Sequence, residues 1–294
     1  MNWSWQGHRI TYVQAGEQGP AIVLVHGFGA NVGHWRKNIP ALSQGHRVFA
    51  LDLLGFGGSA KPVGADYTFE TWGQQVADFV AEVVQAPAVV VGNSIGAIVA
   101  LQTAVMSPQV QGVTLINCSL RLLHRSKRGQ IPWLRRVGTP LVQGLLSKGP
   151  VSRFFFDRLR QPATVRKILT QAYGDPTAVT PELVELLIAP SRDPGALGVF
   201  LAFINYDTGP LAEDLLPIVT CPVQVLWGEL DPWEPIALGR TFTRFPQVQR
   251  FVALPGAGHC PQDEVPARVN PLLAEWADLC FQNPKKLSPE GSGA

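Results

Sequence analysis

The chain has 294 residues, 46% of them hydrophobic and 16% charged, with a formal net charge of +2. That length is long for one domain and short for two, and the apolar content suffices for a large core. The composition excludes general disorder, and the small net charge gives no ground for nucleic-acid binding.

The first residues, Met1 to Arg9, include Trp3, Trp5 and His8, and no apolar stretch follows a basic start, so no signal peptide is predicted. Arg9–Val13 reads as an early strand in a hairpin with the residues around Trp3–Trp5. Ala21–Val25 is a continuous apolar run, as expected of a strand buried on both faces. Arg47–Leu51 and Ala88–Val91 have the same character. Between them Phe69, Trp72, Val76, Phe79, Val80 and Val83 fall at helical spacing, predicting a helix over 68–85 capped by Thr68. A second helix is predicted over Ile95–Met106, then a strand over Gly112–Ile116. The apolar stretch 88–105 is broken by Gly92, Asn93, Ser94, Gly96 and Gln102, so it reads as strand, turn and helix rather than a membrane span.

The alternation of strand and helix then stops, and residues 119–216 read as helices broken by Pro and Gly. It resumes with a strand at Pro222–Trp227, a helix near Pro235–Phe245, a strand at Gln249–Leu254 and a helix from Pro266 to Phe281. The expected organisation is an α/β core with a mostly parallel sheet flanked by helices, formed by residues 1–118 and 217–282. Residues 119–216 form a helical cap inserted in that core, and 283–294 a disordered tail. Cys118, Cys221, Cys260 and Cys280 show no C-x-x-C spacing, which suits free thiols in a reducing, cytoplasmic setting.

Gly92-Asn93-Ser94-Ile95-Gly96 is a G-x-S-x-G placed after a buried strand and before a helix, the context in which a serine oxygen projects above a sheet as a nucleophile. A serine needs a base, and in this arrangement the acid and then the histidine follow in the chain. Of the two downstream histidines, His124 lies among arginines, where a solvated surface role is expected. His259 sits in a Gly-Ala-Gly-His turn after a strand and is the expected general base. Asp231, just past the Pro222–Trp227 strand, is the expected acid, with Glu229 and Asp207 as competitors; Glu229 is expected to be a hydrogen-bonding loop residue. The backbone N–H groups of Phe28, in His26-Gly27-Phe28-Gly29, and of Ile95 are the expected oxyanion donors. His26 then shapes its loop, and Asp52 fixes the turn after its strand. No zinc-protease H-E-x-x-H, phosphate loop or dinucleotide fingerprint occurs, so neither metal nor cofactor is expected.

Taken together, HGFG at 26–29, DLLGFGGS at 52–59, GNSIG at 92–96, WGELDPW at 227–233 and GAGHCPQDEVP at 256–266 resemble the α/β-hydrolase superfamily across both halves of the core. The finer resemblance is to the pheophytinase and chlorophyll dephytylase group. It is carried by His34-Trp35-Arg36-Lys37-Asn38 and by the segments around Asp231 and His259. It implies Ser94, Asp231 and His259 as a catalytic triad and hydrolysis of the phytyl ester of chlorophyll or pheophytin, releasing phytol. Ile95 and Ala97 stand where many relatives have leucine and glycine. The absence of a plastid targeting extension points to a bacterial, cyanobacterial source. The rival readings are an esterase or C–C hydrolase for a smaller apolar substrate, and a non-catalytic binding protein of this fold.

The charge is unevenly spread. Residues 121–167 hold twelve of the 24 Lys and Arg and one acid, Asp157, whereas the rest of the chain holds twelve basic and 21 acidic residues. Apolar residues are interleaved, among them Leu122, Leu123, Ile131, Trp133, Leu134, Leu141, Leu145, Leu146 and Phe154–Phe156. Such a cap is either a solvated basic face or a peripheral contact with an anionic membrane such as the thylakoid.

Overall fold

Strand residues of alternating orientation divide the apolar side chains between the two faces of one sheet. The computed structural model describes residues 1–122, 124–130 and 149–282. Leu123, Ile131, Trp133, Leu134, Leu141, Leu145 and Leu146 of the expected cap, and the tail expected to be disordered (283–294), lie outside the described residues.

The strands are β1 (Asn2–Trp5), β2 (His8–Ala15), β3 (Ala21–Val25), β4 (Arg47–Leu51), β5 (Ala88–Asn93), β6 (Val110–Ile116), β7 (Val223–Gly228) and β8 (Val248–Leu254). They form one sheet in the order β1-β2-β4-β3-β5-β6-β7-β8. β1, β2 and β4 pair antiparallel; every other pairing is parallel. Gln6 and Gly7 close the hairpin with φ of 50° and 78°, the left-handed pair whose twist suits a two-residue turn.

In β3, Ala21, Val23 and Val25 join one core while Ile22 and Leu24 join the other. β4 divides likewise, Phe49 and Leu51 against Val48 and Ala50. Both faces are therefore dry, which is why these strands read as unbroken apolar runs. The first face is covered by α1 (Phe69–Phe79) and α2 (Ile95–Met106), the second by the C-terminal helix α7 (Pro266–Gln282) through Val269, Leu273, Trp276 and Cys280. Thr68 caps α1, its Oγ1 accepting the Thr71 N–H at 3.2 Å. The helix predicted to reach residue 85 is α-helical only to Phe79; a wider π turn follows over Val80–Val84 and ends at Gln85, whose φ is 53°.

Between β6 and β7 the described residues contain helices and turns and no strand. The longer helices are α3 (Gly149–Leu159), α4 (Pro162–Ala172), α5 (Pro181–Ile188) and α6 (Ala196–Asn205). A small separate core forms there from Leu169, Ala172, Tyr173, Val179, Leu183, Val184 and Ile188, together with Cys260 from the loop after β8. No single helix among the described residues is long and apolar enough to cross a membrane. All four cysteines are buried free thiols.

The turn after β3 and the loop after β8 are clamped together by a buried acid. Asp263 has no exposed side-chain surface and meets Arg36 Nη2 at 3.0 Å and Lys37 Nζ at 3.2 Å. It also accepts the Tyr173 hydroxyl at 2.9 Å. Asn38 Nδ2 donates to Gln262 O at 3.0 Å beside it. Truncating Asp263 removes the acceptor of the Tyr173 hydroxyl and leaves it only His34 Nε2, while the two cations reach water and limit the cost. Asp263→Ala is expected to lose about 2 kcal/mol of stability by urea denaturation; an unchanged midpoint and slope would refute the clamp.

Candidate active site

The expected nucleophile, base, acid and first oxyanion donor each sit past the C-terminal end of a parallel strand, the end at which sheets of this kind build their sites. Phe28 follows β3, Ser94 follows β5, Asp231 follows β7 and His259 follows β8. Ser94, Phe28, Ile95 and His259 line one cavity of about 500 Å³. Asp231 lies behind His259, buried at 7% exposure.

The turn at Ser94 is strained, with φ 57° and ψ −119°. A β-carbon at Gly92 would run into the backbone oxygen of Gly96, and one at Gly96 into the carbonyls of Val25 and His26. Glycine is thus required on both sides for strand, turn and helix to approach this closely. The serine is held through its backbone: its N–H donates to Ile116 O at 3.0 Å, and its carbonyl accepts Ala97 N–H at 3.1 Å and Ser119 N–H at 3.2 Å.

His259 Nδ1 donates to Asp231 Oδ2 at 2.7 Å. That bond fixes the tautomer and leaves Nε2 with a lone pair able to take a proton. Burial pushes the Asp231 carboxyl up, but its hydrogen bond to His259, the His259 charge, and donation from Asn117 and Glu234 N–H outweigh this and hold it below its ordinary value. Trp233 sets its ring edge-on to His259 with centroids 4.9 Å apart.

Several residues in this arrangement were not singled out from the sequence. Asn117, at the end of β6, donates to Asp231 Oδ2 at 2.7 Å while its Oδ1 accepts Gly228 N–H at 2.9 Å. Asn93 Nδ2 donates to His259 O at 3.1 Å and to Ile116 O at 3.2 Å. Glu264 gathers the N–H groups of Gly174 (2.6 Å), Gly258 (2.9 Å) and Cys260 (3.0 Å), and His259 N–H donates to Ala172 O at 2.8 Å. The inserted helices therefore hold the histidine loop directly. Position at a strand end could have flagged Asn117; nothing local in the sequence marks the other contacts.

The competing readings of the sequence resolve as follows. Glu229 was expected to hydrogen bond in its loop and does so through its backbone, its N–H donating to Leu254 O at 3.2 Å, while its side chain is exposed. Glu234 bonds through its side chain, its Oε2 accepting Leu120 N–H at 3.0 Å. His124 is partly exposed at the surface, where it bonds Ser126 Oγ at 2.7 Å and Gly209 O at 3.1 Å, away from Ser94. Asp207 lies in the loop after α6, its carbonyl accepting Arg125 N–H at 2.8 Å. Asp52 accepts Val32 N–H and Gly58 N–H, each at 2.7 Å, and so fixes its turn. His26 shapes the loop ahead of Phe28: Nδ1 donates to Gly27 O at 2.7 Å and Nε2 accepts Leu53 N–H at 3.1 Å.

The cavity wall is mostly aromatic and aliphatic. Phe28 stacks on Phe203 at 4.2 Å and meets Phe56 edge-on at 5.7 Å. Phe200 sits against Phe156, and Val165, Leu169, Leu187 and Ile188 complete the wall. Lys61 and Arg160, the lining cations, are paired with Asp193 and Asp157.

A sequence profile of the alpha/beta hydrolase family matches residues 22–272. The chloroplastic pheophytinase of Arabidopsis thaliana is 27% identical over 91% of this chain, which spans 64% of that protein's length, just under two thirds. The pimeloyl-[acyl-carrier protein] methyl ester esterase of Methylococcus capsulatus is 31% identical over 79% of the chain and 85% of its own length. The structure of a thermophilic esterase from Thermogutta terrifontis superposes with a TM-score of 0.73 at 24% identity, covering 96% of this chain and 99% of that one, and shares the fold.

Glu234 gives this site a measurable signature. Burial pushes its carboxyl up to about 7, against the Leu120 N–H bond, the His259 charge and the Ser119 bond, which pull it down. The folded chain keeps a proton that the unfolded chain releases near 4.5, so Glu234 costs stability as pH rises from there to about 7. Glu234→Gln keeps an acceptor for Leu120 N–H and removes that cost. The variant is expected to gain about 2 kcal/mol on the wild type at pH 8 relative to pH 4, allowing for partial exposure, when unfolding is followed at both pH values. A pH-independent difference would refute the buried, protonated carboxyl.

Proposed function

The chain belongs to the alpha/beta hydrolase family, and from that premise we propose that it is a serine-dependent carboxylic ester hydrolase acting on the phytyl ester of a chlorophyll-type pigment. The observation that carries the ester reading is the Asp231–His259 pair at 2.7 Å, with His259 and Ser94 both lining a cavity walled by Phe28, Phe56, Phe156, Phe200 and Phe203.

Ser94 Oγ attacks the ester carbonyl as His259 Nε2 takes its proton. Asp231 holds the ring and stabilises the imidazolium without itself being protonated. The oxyanion of the tetrahedral adduct is met by the N–H groups of Phe28 and Ile95, reinforced by the positive end of α2. Collapse expels the alcohol, which leaves with the proton from His259, and Ser94 carries the acyl group. Water, deprotonated by the same nitrogen, then releases the acid and restores the serine.

The substrate reading rests on two supports. The wall offers an apolar chain a dry surface with no unpaired cation among the described lining residues. The similarity to the Arabidopsis pheophytinase extends over 91% of the chain. A methyl ester of smaller size is the second reading, favoured by the 31% identity to the Methylococcus esterase.

Incubation with chlorophyll and with pheophytin is expected to release phytol, with Ser94→Ala inactive. Hydrolysis of short esters without phytol release would sink the pigment reading and leave the esterase. Failure of a fluorophosphonate to label Ser94 would sink both. Asp231→Asn, which upsets the His259 tautomer, is expected to lower kcat on the order of 10³–10⁴-fold in the same assay; a loss under tenfold would put the acid elsewhere.

A further inference from the structure

Helices α3 and α4 have two functional faces. Phe156, Leu159, Val165 and Leu169 turn toward the cavity and line it. On the outside, Arg153, Arg158, Arg166 and Lys167 are exposed, with Phe154 at 74% exposure and Ile168 at 37% among them. The one acid on these helices, Asp157, is taken by Arg160 at 2.7 Å, so none of the four exposed cations has an acidic partner among the described residues. Ile168 belongs to both faces, since it also lines the cavity. The basic, aromatic surface therefore reaches the cavity rim.

Solvation explains exposed arginines but not three exposed large apolar side chains, Phe154, Phe155 and Ile168, on the same two helices. Basic residues with an exposed aromatic on one helical face suit a lipid surface. There the cations meet anionic headgroups and the ring enters the acyl boundary. The rest of the chain, with 21 acidic against twelve basic residues outside 121–167, is repelled by the same surface, so the molecule is turned with this face down. We propose that the outer face of α3 and α4 docks on an anionic lipid bilayer and brings the cavity rim to the membrane, from which an apolar ester enters. Entry of the ester rests on the hydrolase reading above; docking does not.

The test separates the two by using full-length Ser94→Ala, which leaves this surface intact. Flotation with vesicles of phosphatidylcholine containing about 30% phosphatidylglycerol is expected to carry the protein at low salt and to release it at about 0.5 M salt, where charge attraction is screened within a few ångströms. Pure phosphatidylcholine is expected to carry at least tenfold less. Arg153→Glu, Arg158→Glu, Arg166→Glu and Lys167→Glu combined, with an unchanged thermal melt, are expected to abolish binding. Phe154→Ser alone is expected to weaken it several-fold at about 0.15 M salt, where the electrostatic share is smaller. Equal binding to neutral and anionic vesicles, or undiminished binding of the charge-reversed chain, would overturn the proposal whether or not any ester is cleaved.

Discussion

The hydrogen bond from His259 to Asp231 spans two loops that leave adjacent strands, and it survives only if both loops are held against thermal motion. Each loop is held partly by contacts from other elements. Asp231 is fixed from one side by Asn117 and from the other by its own turn, where Oδ1 accepts the N–H groups of Trp233 (2.9 Å) and Glu234 (3.1 Å). His259 is fixed at its N–H by Ala172 O and at its carbonyl by Asn93. The pair is therefore a meeting point of four strand ends and one inserted helix, and a shift in any of them reaches the imidazole.

The same arrangement explains the unusual protonation chemistry around the cavity. His26 and His34 are both fully buried, and burial drives them toward the neutral form; His34 falls to about 4 despite the pull of Asp263. His34 Nε2 lies 3.0 Å from the Tyr173 hydroxyl, which in turn donates to Asp263. The anionic end of that chain is the acid already neutralised by Arg36 and Lys37. The charge of that chain is thereby confined to the outer clamp and its cavity side presents the neutral His34 ring, while the lining cations Lys61 and Arg160 are paired with Asp193 and Asp157. An apolar group can then lie against that wall without stripping water from an unpaired cation, a cost of several kcal/mol.

The parts of the site that follow from chain-local rules were readable in the sequence. A G-x-S-x-G between a buried strand and a helix, and an acid and a histidine just past later strands, are each set by a few neighbouring residues. The fold was readable for the same reason: strands buried on both faces leave unbroken apolar runs, as in Ala21–Val25 and Ala88–Val91. What was not readable depends on contacts between distant residues. Asn117 meets Asp231 across 114 positions, and Asn93 meets His259 across 166. Glu234, which was not singled out, differs from Glu229 for a subtler reason. Both lie near Asp231, and only the turn closed by Asp231 Oδ1 decides that the later one points inward. The π turn at Val80–Val84 left no mark either, because a wider turn keeps much the same apolar spacing as an α-helix.

The long motifs around His34 and His259 have a physical reason that the triad alone does not supply. A triad needs one histidine, yet His34–Asn38 and His259–Pro266 together form a single interlocked unit. Arg36 and Lys37 grip Asp263, Lys37 and Asn38 donate to the carbonyls of Asp263 and Gln262, and Glu264 closes over the backbone of Gly258 and Cys260. Tyr173 and Gly174, from the inserted segment, complete it. The unit does two things at once: it sets the imidazole, and it fastens the helices that wall the cavity. The cavity wall and His259 are thus parts of one hydrogen-bonded unit. A change in the inserted helices that altered the cavity wall would also be felt at His259, so cavity shape and imidazole placement are mechanically coupled in this chain.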